Sequence, residues 1–307
     1  MLFMQGKKET HALPSKEYSN LISSFFPYFL PYTSGLSNVC NNASLTITRM
    51  NTRQHPAIRQ RLRRFTVLLA MLLFPVILNY FSPYLVIDAA SHGTVNGSLI
   101  LFALMFLSSL FLGRLWCAWG CPGAGLQEML FKVNGKPARN KRLDWIKWVI
   151  WIPWISLIAI MAFRAGGYRN IDFFYMTENG LSVTAPLNYI IYYTVVGTFV
   201  TLSLWLGRRA GCHAICWMSP FMILGRSLRN LFSWPSLRLE AAPTQCSSCH
   251  HCTRHCPMSL PVEKMVSQNA MEHRECILCG NCIDGCASKA IRYSFRSGGK
   301  SLDASHL

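Results

Sequence analysis

Between residues 65 and 206 the polar positions retreat into loops and leave four apolar stretches: Phe65 to Ile87, Ser98 to Trp116, Trp145 to Phe163 and Asn188 to Leu206. A helix rises about 1.5 Å per residue, so each stretch is long enough to cross a hydrocarbon core about 30 Å thick. The pattern predicts four transmembrane helices. The first carries Pro75, Asn79 and Pro83, which a span tolerates where neighbouring helices satisfy the freed backbone. Trp145, Trp148, Trp151 and Trp154 recur every three residues and read as an interfacial belt with helix packing.

The loops set an orientation. Arg53, Arg59, Arg61, Arg63 and Arg64 precede the first span, whereas Asp88 to Gly97 has no Lys or Arg. The next loop is basic again from Arg114 to Lys147, the one after it is nearly balanced, and Arg208 and Arg209 follow the fourth span. Basic loops stay on the cytoplasmic side, so both chain ends are expected there. Residues 226–234, which mix Arg with Leu, Phe and Trp, read as a helix lying on the inner leaflet. Pro235 and Pro243 bracket a short linker to a cysteine-rich tail.

Composition supports this outline. The chain is 51% hydrophobic and 14% charged, a balance foreign to a purely soluble protein. Its 30 Lys and Arg against 13 Asp and Glu give a net charge of +17, which the basic loops largely absorb. Nucleic acid is therefore not an expected partner. Residues 1–49 share no pattern with the rest and read as a non-native or disordered extension, with Met50 opening the basic flank of the natural protein.

Eight of the 13 cysteines fall in two runs of one spacing. Cys246, Cys249, Cys252 and Cys256, followed by Pro257, read C-x2-C-x2-C-x3-C-P; Cys276, Cys279, Cys282 and Cys286 repeat the spacing. Such runs bind [4Fe-4S] clusters, and in two-cluster ferredoxins the fourth cysteine of each run ligates the other cluster. The expected sets are Cys246, Cys249, Cys252 and Cys286 for one cluster, and Cys256, Cys276, Cys279 and Cys282 for the other. Zinc does not explain the third cysteine of each run. CSSCH matches the c-type haem signature but leaves Cys252 and Cys256 without a role, and a reducing compartment disfavours disulfides. His250, His251 and His255 are expected to be solvated or hydrogen-bonded, and a short helix is expected between Pro261 and Ala270.

Four further cysteines form a second repeat. GRLWCAWGCP contains Cys117 and Cys121, and GRRAGCHAIC contains Cys212 and Cys216, each pair as C-x3-C near the end of an expected span. Four bare thiolates together in a low dielectric would be costly. The set reads as an additional redox or metal site, or else as neutral thiols that pack or form disulfides.

The C-x3-C-P at Cys117 to Pro122, the second C-x3-C and the two ferredoxin runs resemble the membrane ferredoxin-type subunits of the NapH, MauN and NosR kind. Those subunits accompany periplasmic nitrate reductase, methylamine dehydrogenase and nitrous oxide reductase. The resemblance runs from about Arg53 to Phe295 and implies four spans, cytoplasmic ends, two [4Fe-4S] clusters and electron transfer linked to quinol. Trp217 stands where that family's second motif has proline, with Pro220 three residues later, and Ala287 replaces the proline expected after the last cysteine.

The expected fold is an all-α membrane domain of four transmembrane helices (50–225), an interfacial helix and linker (226–243), a small α+β two-cluster ferredoxin domain (244–295) and a tail (296–307). The expected activity is that of an electron-transfer subunit in the inner membrane, linking the quinol pool or a cytoplasmic donor to a partner redox enzyme. An assembly factor for a partner's metal centre and a membrane redox sensor are the alternatives. There is no G-x-G-x-x-G fingerprint for a nicotinamide or flavin dinucleotide.

Overall fold

The structure is a computed structural model and describes residues 58–138, 143–184 and 186–298. The expected extension 1–49, the start at Met50 and most of the tail lie outside the described residues.

The first apolar stretch is not one helix. Helix α1 (Ile58–Leu72) gives way to a short α2 (Phe74–Ile77) and a 3-10 turn (Leu78–Phe81), and the chain bends by 61° at the break. Pro75 lacks an N–H and crowds the preceding turn, so the hydrogen-bond ladder fails there. Helix α3 (Pro83–Ser91) starts afresh, with the Ser82 hydroxyl accepting from the Leu85 N–H at 3.4 Å. Trp217, the residue in place of the expected proline, donates its indole N–H to Phe81 O at the end of the 3-10 turn, 2.9 Å away.

Strand β1 (Thr94–Asn96) leads into α4 (Gly97–Leu112), whose N-terminus is capped by the Asn96 side chain. At 16 residues, α4 covers about 24 Å and falls short of the expected 98–116 span. Gly113, at φ +58°, ends it, and a side chain there would press on Leu278 and Arg229. The chain turns into α5 (Leu115–Trp119) and then α6 (Pro122–Met129). Helix α6 lies against α1 so closely that a Cβ on Gly125 would stand 2.3 Å from Val67 O.

Helices α7 (Leu143–Arg164) and α8 (Pro186–Leu206) are long and apolar enough to cross a membrane, with β2 (Asn170–Asp172), paired in parallel with β1, between them. Only 17% and 11% of their spanning windows are buried, leaving large apolar faces that lipid would cover. The described residues thus hold two helices of spanning length, or three if the bent pair at the start is one broken span, where four were expected.

Helix α9 (Ala210–Ala214) and helix α10 (Ser219–Leu231) follow. The segment read as an interfacial helix begins as the second half of α10, where Arg226 and Arg229 turn into the protein while Leu228, Leu231, Phe232 and Trp234 are exposed. A Cβ on Gly225 would fall 1.8 Å from Ser109 Oγ of α4, and Arg226 and Arg229 are buried. The segment read as a linker is strand β3 (Ser236–Ala241). After the short helices α11 (His251–Arg254), α12 (Val262–Ser267) and α13 (Asn281–Asp284), it pairs antiparallel with β4 (Ile291–Arg296), from Ser236 opposite Arg296 to Ala241 opposite Ile291. The cysteine-rich part is therefore flanked by paired strands on both sides of its two runs.

Candidate iron-sulfur sites

The two cysteine runs fold alike. The residues just before and just after the second cysteine, Ser248 and His250 in one run and Leu278 and Gly280 in the other, all have positive φ. A single-turn helix follows each, α11 and α13, and the third residue after each fourth cysteine, Ser259 and Lys289, again has positive φ. Alternating left- and right-handed backbone turns N–H groups inward, which suits anionic sulfur. The N–H groups of Met258 and Leu260 reach Cys256, that of Asn281 reaches Cys279 and that of Thr253 reaches Cys252. Gly280 is required twice over, because a Cβ there would also stand 2.7 Å from Tyr293 Oη.

These loops enclose two cavities. One is lined by Cys256, Cys276, Cys279 and Cys282 with Leu239, Met265 and Ile277. The other is lined by Cys246, Cys249, Cys252 and Cys286 with His250, His251 and Glu263. Burial and the neighbouring Cys279 push the Cys256 thiol up to about 12, so a thiolate there calls for a compensating cation. Four sulfurs, inward N–H groups and apolar walls fit a cubane in each cavity; when bound, such a cluster accepts and returns one electron. The three histidines have other roles: His251 and His255 stack at 4.2 Å, and His250 Nδ1 lies 3.6 Å from Glu263.

The first of these cavities is fastened to the helical part by side chains. Gln60 donates to Cys279 O at 2.9 Å and to Asp284 at 2.7 Å. Arg226 donates to Cys276 O at 2.7 Å, and Arg208 to Cys256 O at 3.3 Å. Arg59 pairs with Asp284 at 2.6 Å and lies over the Tyr293 ring, whose hydroxyl donates to Leu278 O. Glu275 receives both Arg114 and Lys147 at 2.6 Å, and Glu272 receives Arg226 at 2.5 Å and Arg229 at 3.3 Å. Burial alone would raise these carboxyls, but their cationic partners prevail: Arg226 and Arg229 hold Glu272 down to about 2, and Arg114 with Lys147 holds Glu275 well below its usual range.

Sequence reasoning missed this fastening. It took Arg59, Arg114, Lys147, Arg208 and Arg209 as loop charges facing the cytoplasm, and several of them are buried ion-pair partners. The available signal was the placement of scarce acids: Glu272, Glu275 and Asp284 flank or interrupt the second cysteine run in a chain with only 13 acidic residues.

Cys117, Cys121, Cys212 and Cys216 are all buried and gathered in one place, each acting electrostatically on others of the set. Burial, and next the other cysteines, push Cys121 well up and Cys216 up to about 12. Arg209 and Arg63 share Glu128 nearby, and Arg209 also donates to Cys117 O at 3.0 Å. Although burial opposes it, this pair of guanidiniums holds Glu128 down to about 2.

Two family patterns match the chain. One described as a 4Fe-4S binding domain matches residues 97–143, and one described as a 4Fe-4S dicluster domain matches residues 245–291. Two uncharacterized proteins of Methanocaldococcus jannaschii are similar. One is 22% identical over 210 residues, 66% of this chain and 81% of its own length; the other is 21% identical over 202 residues, 66% and 71%. Escherichia coli YccM, whose name describes an electron transport protein, is 23% identical over 198 residues, 62% of this chain and 53% of its own length. This chain spans about half of YccM. No solved structure matches. The chain thus carries two ferredoxin-type 4Fe-4S domains together with helices able to span a membrane.

Proposed function

We propose that the protein carries single electrons between quinol in the membrane and a partner redox protein at the cytoplasmic face of the inner membrane. Cys256, Cys276, Cys279 and Cys282 hold the inner cluster, and Cys246, Cys249, Cys252 and Cys286 the outer one. The observation that carries this reading is the grip on the inner cavity. Three of its four cysteines offer their backbone carbonyls to side chains of the helical part, Gln60, Arg208 and Arg226. A relay needs its centres at fixed separation, and buried ion pairs with short hydrogen bonds fix that separation better than a flexible linker. Around the outer cavity Ser247, Ser248, Ala287 and Ser288 are exposed, so a partner can approach there.

Quinol gives up two electrons and two protons, so the balance requires two successive one-electron deliveries. The test is reduction of the purified protein in lipid vesicles by a short-chain quinol, followed by cluster bleaching. Bleaching that saturates with quinol and is lost with an inhibitory quinone analogue is expected. Bleaching by dithionite but not by quinol would leave a soluble donor as the source and overturn the quinol link.

A further inference from the structure

We propose that Cys117, Cys121, Cys212 and Cys216 together hold a third iron-sulfur cluster, a [4Fe-4S] cubane shared between two turns of the helical part. The 4Fe-4S pattern over residues 97–143 contains only two cysteines, Cys117 and Cys121, whereas a cubane takes four. The fold brings the other two from 95 residues further along the chain, Cys212 and Cys216.

The two contributing turns are built the same way. In each, the first cysteine lies in a five-residue helix, α5 or α9. The residue ending that helix has nearly the same backbone, Gly120 at φ −124°, ψ −3° and Ile215 at φ −118°, ψ 0°. The second cysteine follows directly, and the next helix has a proline in its first turn, Pro122 directly after Cys121 and Pro220 four residues after Cys216. In both turns the N–H three residues on, of Ala124 or Ser219, reaches the sulfur of the second cysteine. This is the same kind of backbone donation to sulfur found at the ferredoxin cysteines.

The surroundings are those of an anionic, multi-sulfur group. Gln127 donates to Cys212 Sγ at 3.1 Å. Arg114 acts on Cys117 and Cys216, and Arg209 on Cys212. Both guanidiniums are fully buried, and the Nε–H of each has no protein partner. Buried N–H groups are rarely left alone, and cluster sulfur is an acceptor of the right kind. Arg63 and Arg209 share a single acid, Glu128, and so leave one positive charge in excess, while Arg114 and Lys147 meet Glu275, with Asp144 also 3.5 Å from Lys147. That excess favours an anionic occupant, and an oxidised cubane with four thiolates carries two negative charges. Asp144 is partly exposed and is paired with His213 as well as Lys147.

A single zinc ion fits less well. Tetrahedral zinc needs sulfurs about 3.8 Å apart, yet among the described residues the only three ligand atoms of His, Cys, Asp or Glu within 4.8 Å of one another belong to Asp144, His213 and Glu275. That trio is already served by Lys147 and Arg114. The location suits a relay, since Arg209 acts on both Cys212 and Cys279, and so lies between this set and the inner ferredoxin cavity.

The test is iron and acid-labile sulfide per chain in the anaerobically purified full-length protein, with electron paramagnetic resonance of the reduced state. About twelve iron is expected, against about eight for the variant Cys117→Ser, Cys121→Ser, Cys212→Ser and Cys216→Ser, which should keep both ferredoxin signals. A wild-type count near eight, a count near ten from a two-iron centre, or zinc replacing the extra iron overturns the proposal. If the quadruple variant does not fold, the wild-type count decides alone. Neither count depends on quinol, so this proposal and the quinol link fail separately.

Discussion

Arg114 and Glu275, 161 positions apart, meet with Nη1 2.6 Å from Oε2, and each side chain is only 1% exposed. One stands at the end of the α4 turn that leads to Cys117, the other immediately before Cys276. The pair therefore joins the helical part to the second ferredoxin run at the base of both cysteine sets. Lys147 completes it from α7.

Breaking such a pair on one side leaves an uncompensated buried charge, which costs about 3–5 kcal/mol. Glu275→Gln should therefore release the ferredoxin part from the helices without destroying its own fold. The measurement is limited proteolysis together with thermal melting. We expect faster cleavage near residues 235–245 and a lower first transition, while Glu240→Gln, whose ion pairs with Arg292 and Arg296 stay within the strand pair, should do neither.

Gln60 carries a different kind of information. Its amide N–H donates to Cys279 O, and a donor near a cluster favours the reduced, more negative state. Gln60→Leu should lower the midpoint potential of the inner cluster and leave the outer one in place, as read by a redox titration followed by electron paramagnetic resonance. A shift in both, or in neither, would contradict the assignment of the inner cavity to Cys256, Cys276, Cys279 and Cys282.

Much of this architecture could be read directly from residue types and spacing. The two cysteine runs predict two repeated loops, and the uninterrupted apolar stretches predict α7 and α8 almost to their ends. The failures have common physics. A straight span tolerates Pro75 only where its freed backbone is satisfied in place, and here the ladder breaks instead; the 98–116 stretch runs through Gly113, whose positive φ ends α4. Hydropathy also treats every arginine as solvated, although an arginine facing a distant glutamate can be buried. Arg226 and Arg229 belong to that second case: their partner Glu272 lies more than 40 residues on, beyond the reach of any local pattern. The clustering of Cys117 and Cys121 with Cys212 and Cys216 was visible only as a repeat, because contact between distant turns is a property of the fold.

Glu128 makes the tie among α1, α6 and α9 sensitive to acid. Its carboxyl is held down to about 2 in the folded protein, against about 4.3 for a free glutamate. A depressed carboxyl contributes its full stability above the unfolded value, and the contribution is lost as pH falls through the folded one. The difference in melting temperature between the wild type and Glu128→Gln should therefore be constant above about pH 5 and close between about pH 4 and 2. A difference that grows on acidification would have the wrong sign for this carboxylate.

The crossed pairing of cysteines gives the sharpest test, because the two possible ligand assignments predict opposite survivors. If ligation crosses, Cys286 belongs with Cys246, Cys249 and Cys252, and Cys286→Ser disables the outer cluster. If each run binds its own cluster, Cys286 belongs with Cys276, Cys279 and Cys282, and the same change disables the inner one. The Gln60→Leu shift identifies the survivor, since Gln60 reaches only the inner loop, at Cys279 O and Asp284. In the double variant Cys286→Ser, Gln60→Leu, we expect the remaining ferredoxin signal to titrate at the lowered potential. In Cys256→Ser, Gln60→Leu it should titrate at the wild-type value of the outer cluster. The reverse pattern would require each run to close on itself, against the grouping of Cys256 with Cys276, Cys279 and Cys282 around one cavity and of Cys286 with Cys246, Cys249 and Cys252 around the other.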